Sequence, residues 1–192
     1  MKNIKNHEEV TRERYKDISY AKQYKIDYIS SYNFKGFKSR LIAYREIKII
    51  HSFLKMIISK NINTINLLDL PCGTGKLGSI LSNYPIKITA ADISESMIKL
   101  AKKEYSDKTN FEIIDATNIL HDENSFDIII CLRLFQRLPK KTRKKILYEF
   151  SRVGSKYLII SYSFSSLWQS IRYKIKRILN KNTPKFFSNK VD

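Results

Sequence analysis

The sequence predicts an α/β fold: an open, mostly parallel sheet covered by helices on both faces. Three observations carry this reading. From residue 64 onward, short continuous apolar runs alternate with segments of helical period. A G-x-G-x-x-G pattern at Gly73, Gly75 and Gly78 comes directly after the first run and opens a helical segment. Acids stand at the ends of the apolar runs or just past them, at Asp69, Asp92 and Asp115, and sheets of this kind bind ligands beyond the carboxyl ends of their strands.

Along the chain, Tyr15–Tyr32, rich in tyrosine, reads as an irregular helical leader. From Ser39 to Ser59, apolar residues at 41, 42, 47, 49, 50, 53, 54, 57 and 58 keep close to helical spacing. Thr64–Leu70 is a buried strand, and a helix begins over Gly75–Asn83. Ile86–Ala91 is the second strand, succeeded by a helix over Ser94–Tyr105 that Ser94 is suited to cap. Asn110–Ile114 and Phe126–Leu132 are the third and fourth strands. Pro139–Ser151 is a helix with proline in its first turn, where a missing N–H costs nothing. Tyr157–Tyr162 is the fifth strand. Helices between successive apolar strands make the strands parallel.

The chain has 192 residues, a length that suits one domain with a single substantial core. We divide it into a helical leader (1–60), a core (61–163) and a basic helix with a tail (164–192). Hydrophobic residues make up 43% and charged residues 28%, a globular balance. The longest apolar stretch, Ile128–Leu132, is far short of the roughly 20 residues of a membrane span. The first residues mix both charge signs around no apolar core, unlike a signal peptide. Cys72 and Cys131 lie in apolar segments, and the histidines at 7, 51 and 121 form no ligand pair. A cytoplasmic protein without a metal site is expected.

The formal net charge is +18, unevenly placed. Residues 133–192 carry 16 basic and 2 acidic side chains, against 8 and 10 in residues 51–132. A basic C-terminal third suits an anionic partner, nucleic acid or an acidic membrane surface. Compositional drift, in a chain heavy in Lys, Ile and Asn, accounts for it equally well.

The glycine pattern alone does not separate a nicotinamide or flavin cofactor from S-adenosylmethionine. Asp69, at the end of the first strand, would repel a pyrophosphate and favour an ammonium. Asp92 suits the two hydroxyls of a ribose, and equally serves as a negative charge at the start of the next helix.

The stretches LLDLPCGTGKLGSIL, ITAADISESMIKLAKKEY, FEIIDATNIL and NSFDIIICLRLF, in that order, resemble the class I S-adenosylmethionine-dependent methyltransferase family, over roughly residues 40–162. The resemblance implies a Rossmann-like, doubly wound sheet ordered 3-2-1-4-5 and S-adenosylmethionine as cofactor. It assigns Asp69 and the loop Pro71, Cys72, Gly73, Thr74 and Gly75 to the methionyl part, with Pro71 where the motif's first glycine usually stands. It assigns Asp92 and Ile93 to the ribose and adenine, Asp115 and Ala116 to the flanks of the adenine, and Leu132 with Arg133, at the end of the fourth strand, to the neighbourhood of the transferred methyl.

The chain also departs from the family pattern. Gln136 and Arg137 lie where related small-molecule enzymes often carry histidine, and neither is a base near neutral pH, so no catalytic residue is assigned. No Asn/Asp-Pro-Pro-Tyr/Phe motif stands after the fourth strand, which argues against nucleobase or Gln amide nitrogens as acceptors. The usual hairpin of strands six and seven finds no room after Tyr162. The remaining segment reads as a basic helix, Ser165–Asn180, with Trp168 on its apolar stripe, and Phe186-Phe187 in a polar tail. The fifth strand is then a sheet edge, with Trp168 packed on the sheet and the edge open to self-association or a partner chain. The function expected is methyl transfer to a small or medium-sized acceptor. The alternatives are an inactive methyltransferase-fold binding subunit and a nucleic-acid methyltransferase that uses the basic third.

Overall fold

The computed structural model describes Ser19, residues 34–59 and residues 64–162. The leader Tyr15–Tyr32, the helix Ser165–Asn180 with Trp168, and Phe186-Phe187 lie outside the described residues. The elements are α1 (Phe34–Ile58), β1 (Asn66–Asp69), α2 (Gly78–Leu81), β2 (Lys87–Asp92), α3 (Glu95–Ala101), β3 (Asn110–Ile113), β4 (Phe126–Cys131), a 3-10 turn (Phe135–Arg137), α4 (Lys140–Val153) and β5 (Gly154–Ile160). The five strands form one sheet in the order β3-β2-β1-β4-β5. Every neighbouring pair is parallel, as the sequence predicts.

Strand side chains alternate between the faces, and at the centre of the sheet both faces are covered. That is why β1, β4 and the middle of β2 are largely apolar, while the edge strands β3 and β5 are more exposed. Leu67, Ile88, Ala90, Ile128 and Ile130 point into one core with Ile50, Leu54 and Ile57 of α1 and Ile98 and Ala101 of α3. Their neighbours Leu68, Ala91, Ile129 and Cys131 point the other way, onto Ile146, Phe150 and Val153 of α4. α1 therefore buries a stripe at 50, 54 and 57 and leaves Ile49, Phe53 and Met56 exposed.

Boundaries differ from the periodic pattern where backbone chemistry intervenes. The helix expected from Gly75 begins only at Gly78, because Gly73 and Gly75 hold φ of +55° and +87°, which breaks helical geometry. The next helix stops at Ala101 instead of reaching Tyr105, whose hydroxyl turns inward to Asp69. Ser94 caps that helix as expected, its hydroxyl accepting from Met97 N at 3.3 Å. Pro139 is the N-cap of α4 and not its first helical residue. β5 starts directly at the end of α4, three residues before the predicted Tyr157.

Among the described residues β5 pairs only with β4. Its Tyr157 and Leu158 are each 42% exposed, and Lys156 reaches Asp127 of β4 at 2.9 Å. Lys140, Lys141, Lys144 and Lys145 of the basic third are exposed on α4. No described helix is long and apolar enough to cross a membrane.

Phe150 is 1% exposed at the centre of the second core. Phe150→Ala should cost about 3–5 kcal/mol of unfolding free energy, read as a lower urea midpoint with an unchanged slope.

Candidate functional site

The carboxyl ends of β1 and β2 meet at one loop, Pro71–Leu77. Cys72 N–H donates to Ala91 O at 2.8 Å, which fastens the loop to β2. Gly73 N–H donates to Asp92 Oδ2 at 3.0 Å, and Ser94 N–H donates to Oδ1 of the same carboxylate at 2.9 Å. Asp92 thus joins the glycine loop to the start of α3. Gly75 N–H closes the turn onto Cys72 O at 3.0 Å.

The two positive-φ glycines do different work. A side chain on Gly75 would begin 2.8 Å from Glu104 Cβ and 3.0 Å from Ala101 Cα, so this glycine lets the end of α3 and the turn after it pack against the loop. Among the described residues, nothing lies within 4 Å of where a side chain on Gly73 would start. Bare backbone therefore faces open space beside Asp92, a cradle for a ligand that approaches closely.

Asp69, the last residue of β1, is 2% exposed and accepts a hydrogen bond from the Tyr105 hydroxyl. The Tyr105 ring is set edge-on against Phe111 at 5.6 Å. Burial pushes the Asp69 carboxyl up to about 7; the Tyr105 bond opposes the rise and the nearby Asp92 adds to it. Burial also raises Asp92, to about 6, against the N–H groups of Ser94 and Gly73 that favour its charged form. Two buried acids poised near neutrality are a demand for positive charge. Cys72 is no nucleophile: burial first, then Asp69 and Asp92, push its thiol far above the ordinary range.

The third strand's end sits beside the second's, with Ile114 N–H donating to Asp92 O at 3.2 Å. Asp115 comes next, half-buried, its Oδ1 accepting from Thr117 N and Oγ1 at 2.9 and 2.8 Å. Ala116 is buried behind it. The loop is clamped from α4: Arg152 donates to Ile119 O and His121 O at 2.6 and 2.7 Å, and Glu149 accepts from Ile119 N at 2.8 Å. Ile93 is half-buried next to Asp92. Leu132, past β4, packs partly against the first core. Asp69, the 71–75 loop, Asp92, Asp115 and Leu132 all fall on the carboxyl edge of the sheet, although only Asp92 and Gly73 bond to each other directly.

Sequence reasoning missed three participants: Tyr105 on Asp69, Lys76 in the loop, and Glu46 of α1, which receives Arg133 Nε and Nη2 at 3.0 and 2.8 Å. Lys76 lies inside the glycine motif and Arg133 at a strand end. Glu46, 87 positions before Arg133, gives no local signal. Among the described residues no group of His, Cys, Asp and Glu is placed to hold a metal ion.

Residues 67–156 match a family model described as a methyltransferase domain. Over these residues the chain is similar to that methyltransferase domain. Ubiquinone biosynthesis O-methyltransferase of Coxiella burnetii is 32% identical over 81 residues, 41% of this chain and 35% of that protein. Malonyl-[acyl-carrier protein] O-methyltransferase of Bacillus anthracis is 38% identical over 96 residues, 47% and 35% of the two chains. The chain spans about a third of the length of these curated relatives. The solved structure of magnesium protoporphyrin IX methyltransferase from Synechocystis PCC 6803 superposes with a TM-score of 0.74 at 18% identity, covering 90% of this chain and 80% of that one. That likeness is one of fold.

The Asp69 shift makes a stability prediction. Its folded pKa lies above its ordinary 3.8, so the folded state holds the proton more tightly than the unfolded chain. That stabilisation is full below about pH 4 and is lost as pH rises through about 7. Asp69→Asn, which keeps an acceptor for Tyr105, should therefore raise Tm at pH 8 by at least roughly 2–4 °C and leave it nearly unchanged at pH 4. A lower Tm at pH 8 would contradict the assignment.

Proposed function

We propose that the protein is an S-adenosylmethionine-dependent methyltransferase acting on a small or medium-sized acceptor. The observation that carries this is the placement of the buried Asp69, the open backbone at Gly73 and the buried Asp92 together at the carboxyl edge of the sheet. These residues fit the cofactor chemically. Asp69, a buried acid raised towards neutrality, suits an ammonium. The uncovered backbone at Gly73 admits close approach, and Asp92 has carboxylate lone pairs for ribose hydroxyls beyond those its two N–H partners use. Asp115 and Ala116, with Ile93, would flank the adenine.

When bound, S-adenosylmethionine supplies an electrophilic methyl group on a sulfonium. The chain's own contribution is alignment and exclusion of water. Asp69 and the 71–75 loop fix one end of the ligand, Asp92 the other, and Leu132 borders the side from which an acceptor approaches. The named activities of the relatives, all methyl transfers, support the same reading. We also propose a cytoplasmic location, which suits the two buried free thiols, Cys72 and Cys131.

Calorimetric titration tests the proposal. S-adenosylmethionine and S-adenosylhomocysteine should bind the full chain, and NADH should not, because its pyrophosphate would meet Asp69. Asp92→Ala should weaken binding by about 1.5–3 kcal/mol, the value of hydrogen bonds to a charged group. Equal affinity of variant and wild type, or tighter binding of NADH, would reject the assignment.

A further inference from the structure

α1 buries Ile50, Leu54 and Ile57 in the first core. One position before each of these, Ile49, Phe53 and Met56 form a second apolar stripe on the side turned away from that core. They are 59%, 46% and 47% exposed, and their spacing of four and three residues puts them on one helix face. A helix that is apolar beyond the stripe its own core covers has surface to bury elsewhere.

The charges on that surface have one sign. Arg45, Lys48 and Lys55 are exposed beside the stripe, with Tyr44 a turn before Lys48 and 63% exposed. From Tyr44 to Ser59 the one acid is Glu46, and it turns inward to Arg133. Among the described residues none of the three cations enters an ion pair. Both ends of the chain are themselves net positive: residues 1–33 hold 7 basic and 5 acidic side chains, residues 163–192 hold 7 and 1. A second copy of this face would set like charges together. The face is complemented by an anionic layer with an apolar interior.

We propose that the outer face of α1 docks on an anionic lipid bilayer, lying in its surface without crossing it. Ile49, Phe53 and Met56 enter the boundary of the acyl chains, and Arg45, Lys48 and Lys55 meet the headgroups. Tyr44, with an apolar ring and a polar tip, suits the interface between them. No described helix is long and apolar enough to span a membrane, so this contact is peripheral, and salt weakens it by screening the charges. α4, with its exposed lysines, packs on the other face of the sheet and stays in solution when α1 is seated.

The test uses the full chain and phosphatidylglycerol vesicles, with phosphatidylcholine vesicles as the neutral counterpart. An environment-sensitive dye is attached at Ser52→Cys on α1 or at Ser151→Cys on α4, both exposed positions, while the buried Cys72 and Cys131 stay unlabelled. On phosphatidylglycerol the α1 dye should shift to the blue and be quenched by nitroxide-bearing lipid, and the α4 dye should do neither. Phosphatidylcholine should leave both unchanged. Phe53→Ser should weaken partition roughly tenfold, and Arg45→Gln and Lys48→Gln roughly fivefold each. General attraction of a chain of net charge +18 to the vesicles would respond to salt and not to Phe53→Ser, so an unchanged partition in that variant overturns the proposal. So do absent binding, an equal response to phosphatidylcholine, or a response of the α4 dye in place of the α1 dye. An α1 dye already blue-shifted without vesicles would show the face covered by another segment of this chain or, where the shift grows with protein concentration, by a second copy. A shift with polyuridylate in place of vesicles would make the partner a nucleic acid. Each of these three results also overturns the proposal.

Discussion

A carboxylate buried at the end of a strand must be satisfied from within, and in this protein that requirement organises the site. Asp92 has its two oxygens on the N–H groups of Gly73 and Ser94. One bond fixes the glycine loop against β2, and the other sets the start of α3. Backbone donors offset part of the cost of removing the charge from water. Asp69 has one phenolic donor where Asp92 has two backbone ones, and its carboxyl is raised further, to about 7 against about 6. The better-satisfied acid supports architecture, and the proposed function gives the less satisfied one the ligand's ammonium.

The sheet order explains why these acids share a crevice. β1 lies between β2 and β4, so the loops after β1 and β4 diverge to opposite faces and leave a gap at the carboxyl edge. Close packing of the segment from Ala101 to Tyr105 against Gly75 and Gly78, possible because neither glycine carries a side chain, lets Tyr105 reach Asp69. α1 reaches the carboxyl edge of the sheet through the Glu46–Arg133 ion pair. Each contact is local in space and distant in sequence, and each ties one edge of the crevice to a rigid element.

That separation decides what was legible in the sequence. The five strands, their parallel order and the glycine loop were readable because each depends on a local pattern: an apolar run, a turn residue, an acid at a fixed offset. Ser94 as a cap was readable for the same reason. The early stop of α3 was not, because Lys102–Tyr105 keeps helical composition and what ends the helix is contact with the glycine loop and Asp69. Nor was the delayed start of α2, since helical period says nothing of φ at Gly73 and Gly75. Tyr105 on Asp69 and Glu46 on Arg133 join residues 36 and 87 positions apart, and only the folded topology brings them together.

The central claim is that Asp69, buried and raised towards neutrality, receives the ammonium of the ligand. Titration of S-adenosylmethionine at about pH 6.5, repeated in buffers of different ionisation enthalpy, measures the protons exchanged on binding. If Asp69 must ionise to pair with the incoming cation, binding should release close to one proton, and Asp69→Asn should abolish the release. Binding with no proton release, or release that persists in Asp69→Asn, would contradict the account.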